Sequence, residues 1–488
     1  MVVEAAAATV VHCRRLPHHQ PYVHHPHHLQ ARRHDIHLHI RLRRHHPVLN
    51  LRRHHLHLRL GIRLGLRLRL RLRRDHPVLD LRRGLRRSST TKGSRGHTQF
   101  KKKITSDPLH ITQTWVGTDV CNVKGKGKYK GFYCAKAPDK DPSDREALAV
   151  AAVDFNSYNL SADSVEEFVE GLNDTAFFHA NSNRFKGALN IDFTKLPFFY
   201  ELDVSNNLIT APFPTSVLTL NLTFLDLRFN FFSGPVPPQV FLNYKYVEVI
   251  FLNNNAFSQS IPDAVGNTPA QYLTFANNQF TGGIPRSIKF LADNLLEVLF
   301  LNNKLSGCIP YEVGLLAKAV VFDAGYNRLT GPIPFSLGCL DKIEQLNFAG
   351  NLLYGQIPEL VCKLGRLQNL SLSDNYFTSV GPACRNLIKR GILHVRKNCI
   401  FGLPNQRHPS QCTAFFSKPL QCHVPANYLK IPCGKKPSSS SFVAAPPYSS
   451  AAWAESLSAL PPSSTAEMTR SAEPSPSPSY AALTPQHG

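Results

Sequence analysis

Residues 225–234 read LDLRFNFFSG, and the phrase returns along the chain. It appears as FHANSNRFKG at 178–187, LDVSNNLITA at 202–211, IFLNNNAFSQ at 250–259 and LTFANNQFTG at 273–282. LFLNNKLSG at 299–307, FDAGYNRLTG at 322–331, LNFAGNLLYG at 346–355 and LSLSDNYFTS at 370–379 continue it. Each fits L-x-L-x-x-N-x-L-x-G, with LFLNNKLSG one residue short. The shared asparagines are 183, 207, 230, 255, 278, 303, 327, 351 and 375, at spacings of 23 to 25 residues. A degenerate first unit, VDFNSYNLSA at 153–162, brings the count to about ten. So even a period predicts an α/β leucine-rich-repeat solenoid.

The pattern has a direct physical reading. L-x-L alternation makes a short strand with two side chains in the core and one on the concave surface. The asparagine turns the chain and satisfies backbone groups that the bend leaves unpaired. One unit cannot bury its own apolar face, so stability comes from stacking. A G-x-I-P type run follows the asparagine, as in SGPVPP at 233–238, GGIP at 282–285, GCIP at 307–310, GPIP at 331–334 and GQIP at 355–358. Glycine and proline there fix a turn and a second extended segment before a convex-side helix.

Five segments follow: 1–104 low-complexity, 105–150 an N-terminal cap, 151–380 repeats, 381–433 a C-terminal cap, and 434–488 a Ser/Pro/Ala-rich disordered tail. In the first cap Trp115 is placed to cover the first repeat, and Cys121 to pair with Cys134. Ten of the eleven cysteines lie between 121 and 433. Cys384, Cys399 and Cys412 mark the second cap, with their pairing open. Cys339 and Cys362 hold matching places in adjacent repeats, so they either pair with each other or stand as buried thiols. Cap disulfides suit an oxidising compartment. Sequons at Asn159, Asn173, Asn221 and Asn369 agree with secretion.

Charge is concentrated at one end. Residues 1–100 carry 22 basic residues against four acids, hence +18 of the formal +23. RLGLRLRLRLRR at 63–74 alternates like a strand, yet it has no turn chemistry and no second apolar face. His, Pro, Leu and Arg share the codon form C-N-C, so the segment reads as a proline tract translated out of frame. The alternatives are a disordered basic tail and a nucleic-acid or metal-binding arm. The opening MVVEAAAATVV has an acid where a signal peptide's basic region belongs, and no stretch of about 20 apolar residues predicts a transmembrane helix.

No enzyme constellation is present, and neither a cofactor nor a metal set is expected. The candidate site is the concave face. The residue between the two apolar positions reads His179, Asp203, Asp226, Phe251, Thr274, Phe300, Asp323, Asn347 and Ser371. Neighbouring columns add Arg228, Asn253, Phe229 and Tyr326. Acids beside solvent-facing aromatics suit a basic, partly apolar peptide.

DPLHITQTWVGTDVCNVKG and GFYC in the first cap, FHANSNRF, LDLRFN, LNNKLSGCIP and the closing NCIFGLPNQRHPSQC together resemble the leucine-rich repeat extensin-like proteins of plant cell walls. The likeness spans roughly residues 105–412. It implies a plant-specific repeat class and a non-enzymatic extracellular protein of the cell wall. It also implies a secreted cationic signalling peptide, or a wall protein or polysaccharide, as partner, and a role linking wall assembly to growth signalling. No specific nucleic acid is implied, and a homodimer is open. The tail carries one Ser-Pro run where the family has long Ser-Pro-Pro-Pro arrays. The runner-up function is inhibition of a pathogen's wall-degrading enzyme.

Overall fold

The structure, a computed structural model, describes residues 99–117, 119–121, 129–136, 148–419, 422 and 431–433. The expectations for residues 1–98 and 434–488 therefore lie outside the described residues. One sheet of twelve strands takes its strands in strict sequence order, from Phe132–Lys136 to Leu393–His394. Only the first pair, Phe132–Lys136 with Leu148–Asp154, is antiparallel. Every later neighbour is parallel and in matched register, as with Glu201–Asp203 on Phe224–Asp226. This is a leucine-rich-repeat solenoid.

The asparagines explain how units stack. Asn207 Oδ1 accepts from the Phe185 amide of the preceding unit at 3.0 Å. Its Nδ2 donates back to the Ala180 carbonyl at 2.8 Å and to its own turn at Val204 and Ser205. Each side chain thus closes its own bend and ties it to the unit before. The same set recurs at Asn398, which accepts from Phe377 and donates to Leu372, Val395 and Arg396. LHVRKN at 393–398 is therefore a further repeat, where a cap was expected from 381 onward.

After each asparagine a second strand forms short parallel sheets, such as Ser306–Cys308, Arg328–Gly331, Leu352–Ile357 and Tyr376–Val380. Proline then starts a convex turn: Pro262, Pro285, Pro310 and Pro334 each N-cap a 3₁₀ helix. Its locked φ and missing N–H suit that place. One continuous core runs the length of the stack, from Phe100 to Ile400.

The first cap is larger than expected, and the second holds a further repeat. Trp115 lies under the first repeat, stacked on Phe155 at 5.4 Å, with its indole N–H on the Lys130 carbonyl. Cys121 pairs with Cys134. Phe100, which the sequence reading left in the low-complexity segment, is buried and stacks on Phe168 at 4.2 Å. The cap therefore includes residue 99 onward, because the first repeat's open end needs that apolar cover.

At the other end the cysteines pair as Cys308–Cys422, Cys339–Cys433, Cys362–Cys384 and Cys399–Cys412. Cys339 and Cys362 are thus neither bonded to each other nor free. The helix Pro409–Phe416 lies on the lateral sheet, with Phe415 stacked on Tyr376 at 3.6 Å and the Arg407 guanidinium 4.3 Å from the Tyr376 ring centroid. Beyond it the chain is bonded back to repeats about 100 residues earlier, the separations being 114 and 94. Gly331, at φ +91°, permits this approach: a Cβ there would come within 2.5 Å of Cys422 Sγ. Among the described residues no helix is long and apolar enough to cross a membrane.

Candidate functional site: the concave face

Matched register aligns one side chain per strand into rows. One row runs Asp154, His179, Asp203, Asp226, Phe251, Thr274, Leu299, Asp323, Asn347, Ser371 and His394. Phe300 is not in it. The unit around Asn303 begins at Val298, so Leu299 takes the concave place. Phe300 turns inward at 1% exposure and stacks on Phe275. The expected nine-residue unit was a one-residue register slip, which on a strand exchanges the two faces.

The face as a whole is also less open than the alternation predicts. Asp203, Asp226, Arg228, Phe251, Asn253 and Asp323 are all buried. Each is flanked on both sides at a strand spacing of about 4.8 Å. The acids have a structural task as well. Asp154, Asp203, Asp226 and Asp323 each present Oδ1 to the amide two residues on, at 2.8–3.1 Å. Asn347 does the same. Aspartate and asparagine are interchangeable in that task, because only one oxygen is used.

A connected cluster forms at the amino-terminal end of the face. His179 Nε2 sits 3.1 Å from Glu201 Oε2, and its ring lies 4.6 Å from Phe177 and 6.2 Å from Phe224. Phe224 meets Phe251 edge-on at 6.4 Å, and Arg228 lies over Phe251 at 5.2 Å while its Nε is 2.9 Å from Asp226 Oδ2. Burial pushes the Asp226 carboxyl up to about 8; Arg228 offsets part of this and Asp203 adds to it. Burial lowers His179, but Glu201, Asp203 and Asp154 outweigh it and hold its pKa above the ordinary value.

The side chains a partner can reach first stand in other columns. Glu201, Phe224 and Tyr272 occupy the position before the apolar pair and are half-buried. Sequence reading missed them, although the alternation, extended one step back, points the same way. Phe229 is half-buried and Tyr326 is 59% exposed, both at φ near +51° in a column otherwise held by asparagine, serine, aspartate, lysine or glycine. Bulky residues there are strained. The Tyr326 ring leans over Gly350, where a Cβ would meet it at 2.7 Å. Of the sequons, Asn221 is exposed, Asn159 and Asn173 are half-buried, and Asn369 lies in a concave strand.

No protein-family model matches the chain. Leucine-rich repeat extensin-like protein 6 of Arabidopsis thaliana is 40% identical over 324 residues, covering 66% of each chain. Protein 1 of that series is 37% identical over 324 residues, covering 66% of this chain and 42% of its own length. Protein 2 is 36% identical over 228 residues, 47% of this chain and 28% of its own length. The chain thus spans between about a quarter and two thirds of these relatives. Among solved structures, a plant ice-binding protein superposes with a TM-score of 0.51 at 21% identity, over 66% of this chain and 98% of that one, which shows the shared fold. The plant peptide hormone receptor RGFR1 in complex with RGF2 gives 0.44 at 24%, over 47% and 37%. With the cap motifs, the asparagine ladder and the long identities to the Arabidopsis proteins, the repeat region of this chain belongs to the plant leucine-rich repeat extensin-like family.

Proposed function

We propose that the chain is a non-enzymatic extracellular protein of the plant cell wall. Its concave face binds a secreted cationic peptide, which links wall assembly to growth signalling. One observation carries the reading: the cluster in which Glu201 and Asp203 lie beside Phe224, Phe251 and Tyr272 on adjacent strands. Carboxylates attract and orient a basic ligand, and half-buried aromatics hold it. Disulfides in both caps and the exposed Asn221 sequon support an oxidising, secretory setting. The buried Asp323 and the exposed Tyr326 lie four strands beyond Asp226 on the same face.

The test is surface plasmon resonance of the secreted full chain with a synthetic Arg/Lys-rich peptide containing leucines. Asp203→Asn keeps the Oδ1 hydrogen bond and removes charge, so it should slow association and flatten the salt dependence. Phe224→Ala and Tyr272→Ala should raise dissociation, each costing about 1–3 kcal/mol if central. Binding unchanged in all three variants removes the site from the concave face.

A further inference from the structure

The turn that leads from each convex helix into the next concave strand carries a second ordered row. Three residues before the strand start, the first six parallel repeats from Phe177 to Glu297 read Asp174, Phe198, Asn221, Tyr246, Pro269 and Asn294. None is a cation. The last four, counted back from Val321, Gln345, Asn369 and Ile392, which share one register position, read Lys318, Lys342, Arg366 and Lys389, and all four are cations. All four are exposed, and Arg390 beside Lys389 adds a fifth exposed charge. None of the five forms an ion pair among the described residues. Lys318 gives its ammonium to the Asp293 carbonyl. Asp293, Asp341 and Glu344 are the acids beside these cations, and Glu344 accepts from the Gln368 side chain at 3.0 Å.

Register fixes the geometry. Val321, Gln345 and Asn369 pair strand to strand, and Leu370 pairs with Leu393. The backbone positions that carry the cations therefore stand about 4.8 Å apart along the stack axis. Holding like charges at that pitch is unfavourable without a partner of opposite sign. We propose that this edge binds a linear acidic polysaccharide, a polyuronate with one carboxylate per monomer, laid along the solenoid axis across its last four repeats.

Three features favour a polyuronate over nucleic acid. No aromatic side chain interleaves the four cations at their position, whereas single-stranded nucleic-acid sites combine a basic track with stacking platforms. The disulfides place the fold in an oxidising compartment. The row is also bounded: its first six positions hold no cation, and Asn221 among them is a glycosylation sequon. The surface is separate from the concave cluster, so it stands or falls independently of the peptide reading.

Full-length secreted chain is titrated with a homogeneous α-linked oligogalacturonate and, in parallel, with single-stranded DNA of matched charge. One variant carries Lys318→Glu, Lys342→Glu, Arg366→Glu and Lys389→Glu. A control variant carries the same number of reversals at the exposed Arg184, Lys245, Lys289 and Lys304. The row variant should lose at least tenfold in oligogalacturonate affinity, and its log K against log salt slope should fall by about three to four. The control should keep both. Circular dichroism and melting of each variant separate lost binding from lost fold. Equal losses in the two variants would reduce the effect to general charge attraction and overturn the proposal. Tighter binding of DNA than of oligogalacturonate through the same four residues would overturn it in favour of nucleic acid.

Discussion

Asn351 offers a sharp test of what holds the repeats together. Its Oδ1 accepts from the Leu329 amide of the preceding unit at 2.9 Å. Its Nδ2 donates to the carbonyls of Ala324, Phe348 and Ala349 at 3.0, 3.1 and 3.2 Å. The residue is 4% exposed, so water cannot replace these partners without opening the stack. Asn351→Ala removes four hydrogen bonds. At about 1 kcal/mol each, and with the Leu329 amide left buried and unpaired, the loss should be about 3–4 kcal/mol. Urea unfolding of the secreted chain measures it, with Arg328→Ala at an exposed neighbouring position as control. Hydrogen exchange adds a local readout, because the Leu329 amide should lose protection ahead of amides several repeats away. A loss below about 1 kcal/mol, or an unchanged Leu329 amide, would show that leucine packing alone closes the bend.

Three further outcomes follow from particular residues. Phe300→Ala should cost about 3–5 kcal/mol in urea unfolding, since the ring is core, and should leave peptide affinity unchanged once the variant is folded. The midpoint of unfolding should fall as pH rises from about 4 to 8. Asp226 binds its proton more tightly when folded than when unfolded, so its contribution is complete below the unfolded carboxyl pKa and is lost as pH passes through about 8. His179, also raised, acts in the same direction from about pH 6.5 upward, and the pair Asp226→Asn and His179→Gln should flatten the profile. Cys422→Ser with Cys433→Ser should expose two new thiols, on Cys308 and Cys339, and lower the melting temperature; closing loops of 114 and 94 residues is worth roughly 2–5 kcal/mol each.

The fold was legible because its signal is repeated. Nine asparagines at one period leave little freedom, and the structure places each of them in the ladder. Where a single unit had to be read alone, the reading slipped. VLFLNNKLSG offers apolar residues at Val298, Leu299, Phe300 and Leu301, so alternation does not choose the face. Counting back five residues from Asn303 does. LHVRKN at 393–398 was hidden by the cysteines around it, and Phe100 by the basic low-complexity run before it. The pairings of Cys308 and Cys339 were beyond reach, because they depend on how far the chain travels back along a stack whose pitch the sequence does not state. The concave acids were read as a charged binding surface alone, and their structural task was not seen. Their Oδ1 contacts to backbone amides are a local turn chemistry that leaves the same letters on the page as a charged binding surface does.

The molecule's charge is therefore better described by repeats than by its total. Acids and aromatics gather on the concave strands near Asp203 and Asp226, and cations line the strand-entry edge from Lys318 to Lys389. Five strand steps separate Asp226 from Asn347, which follows Lys342 in its unit. At about 4.8 Å per step that is roughly 24 Å. The screening length at physiological salt is about 8 Å, so neither cluster neutralises the other through solvent. A contiguous opposite pair would have collapsed into mutual ion pairs and left neither free. Separation along the stack keeps the two regions from pairing with each other. Evenly spaced repeats thus keep the two charged regions apart on one fold.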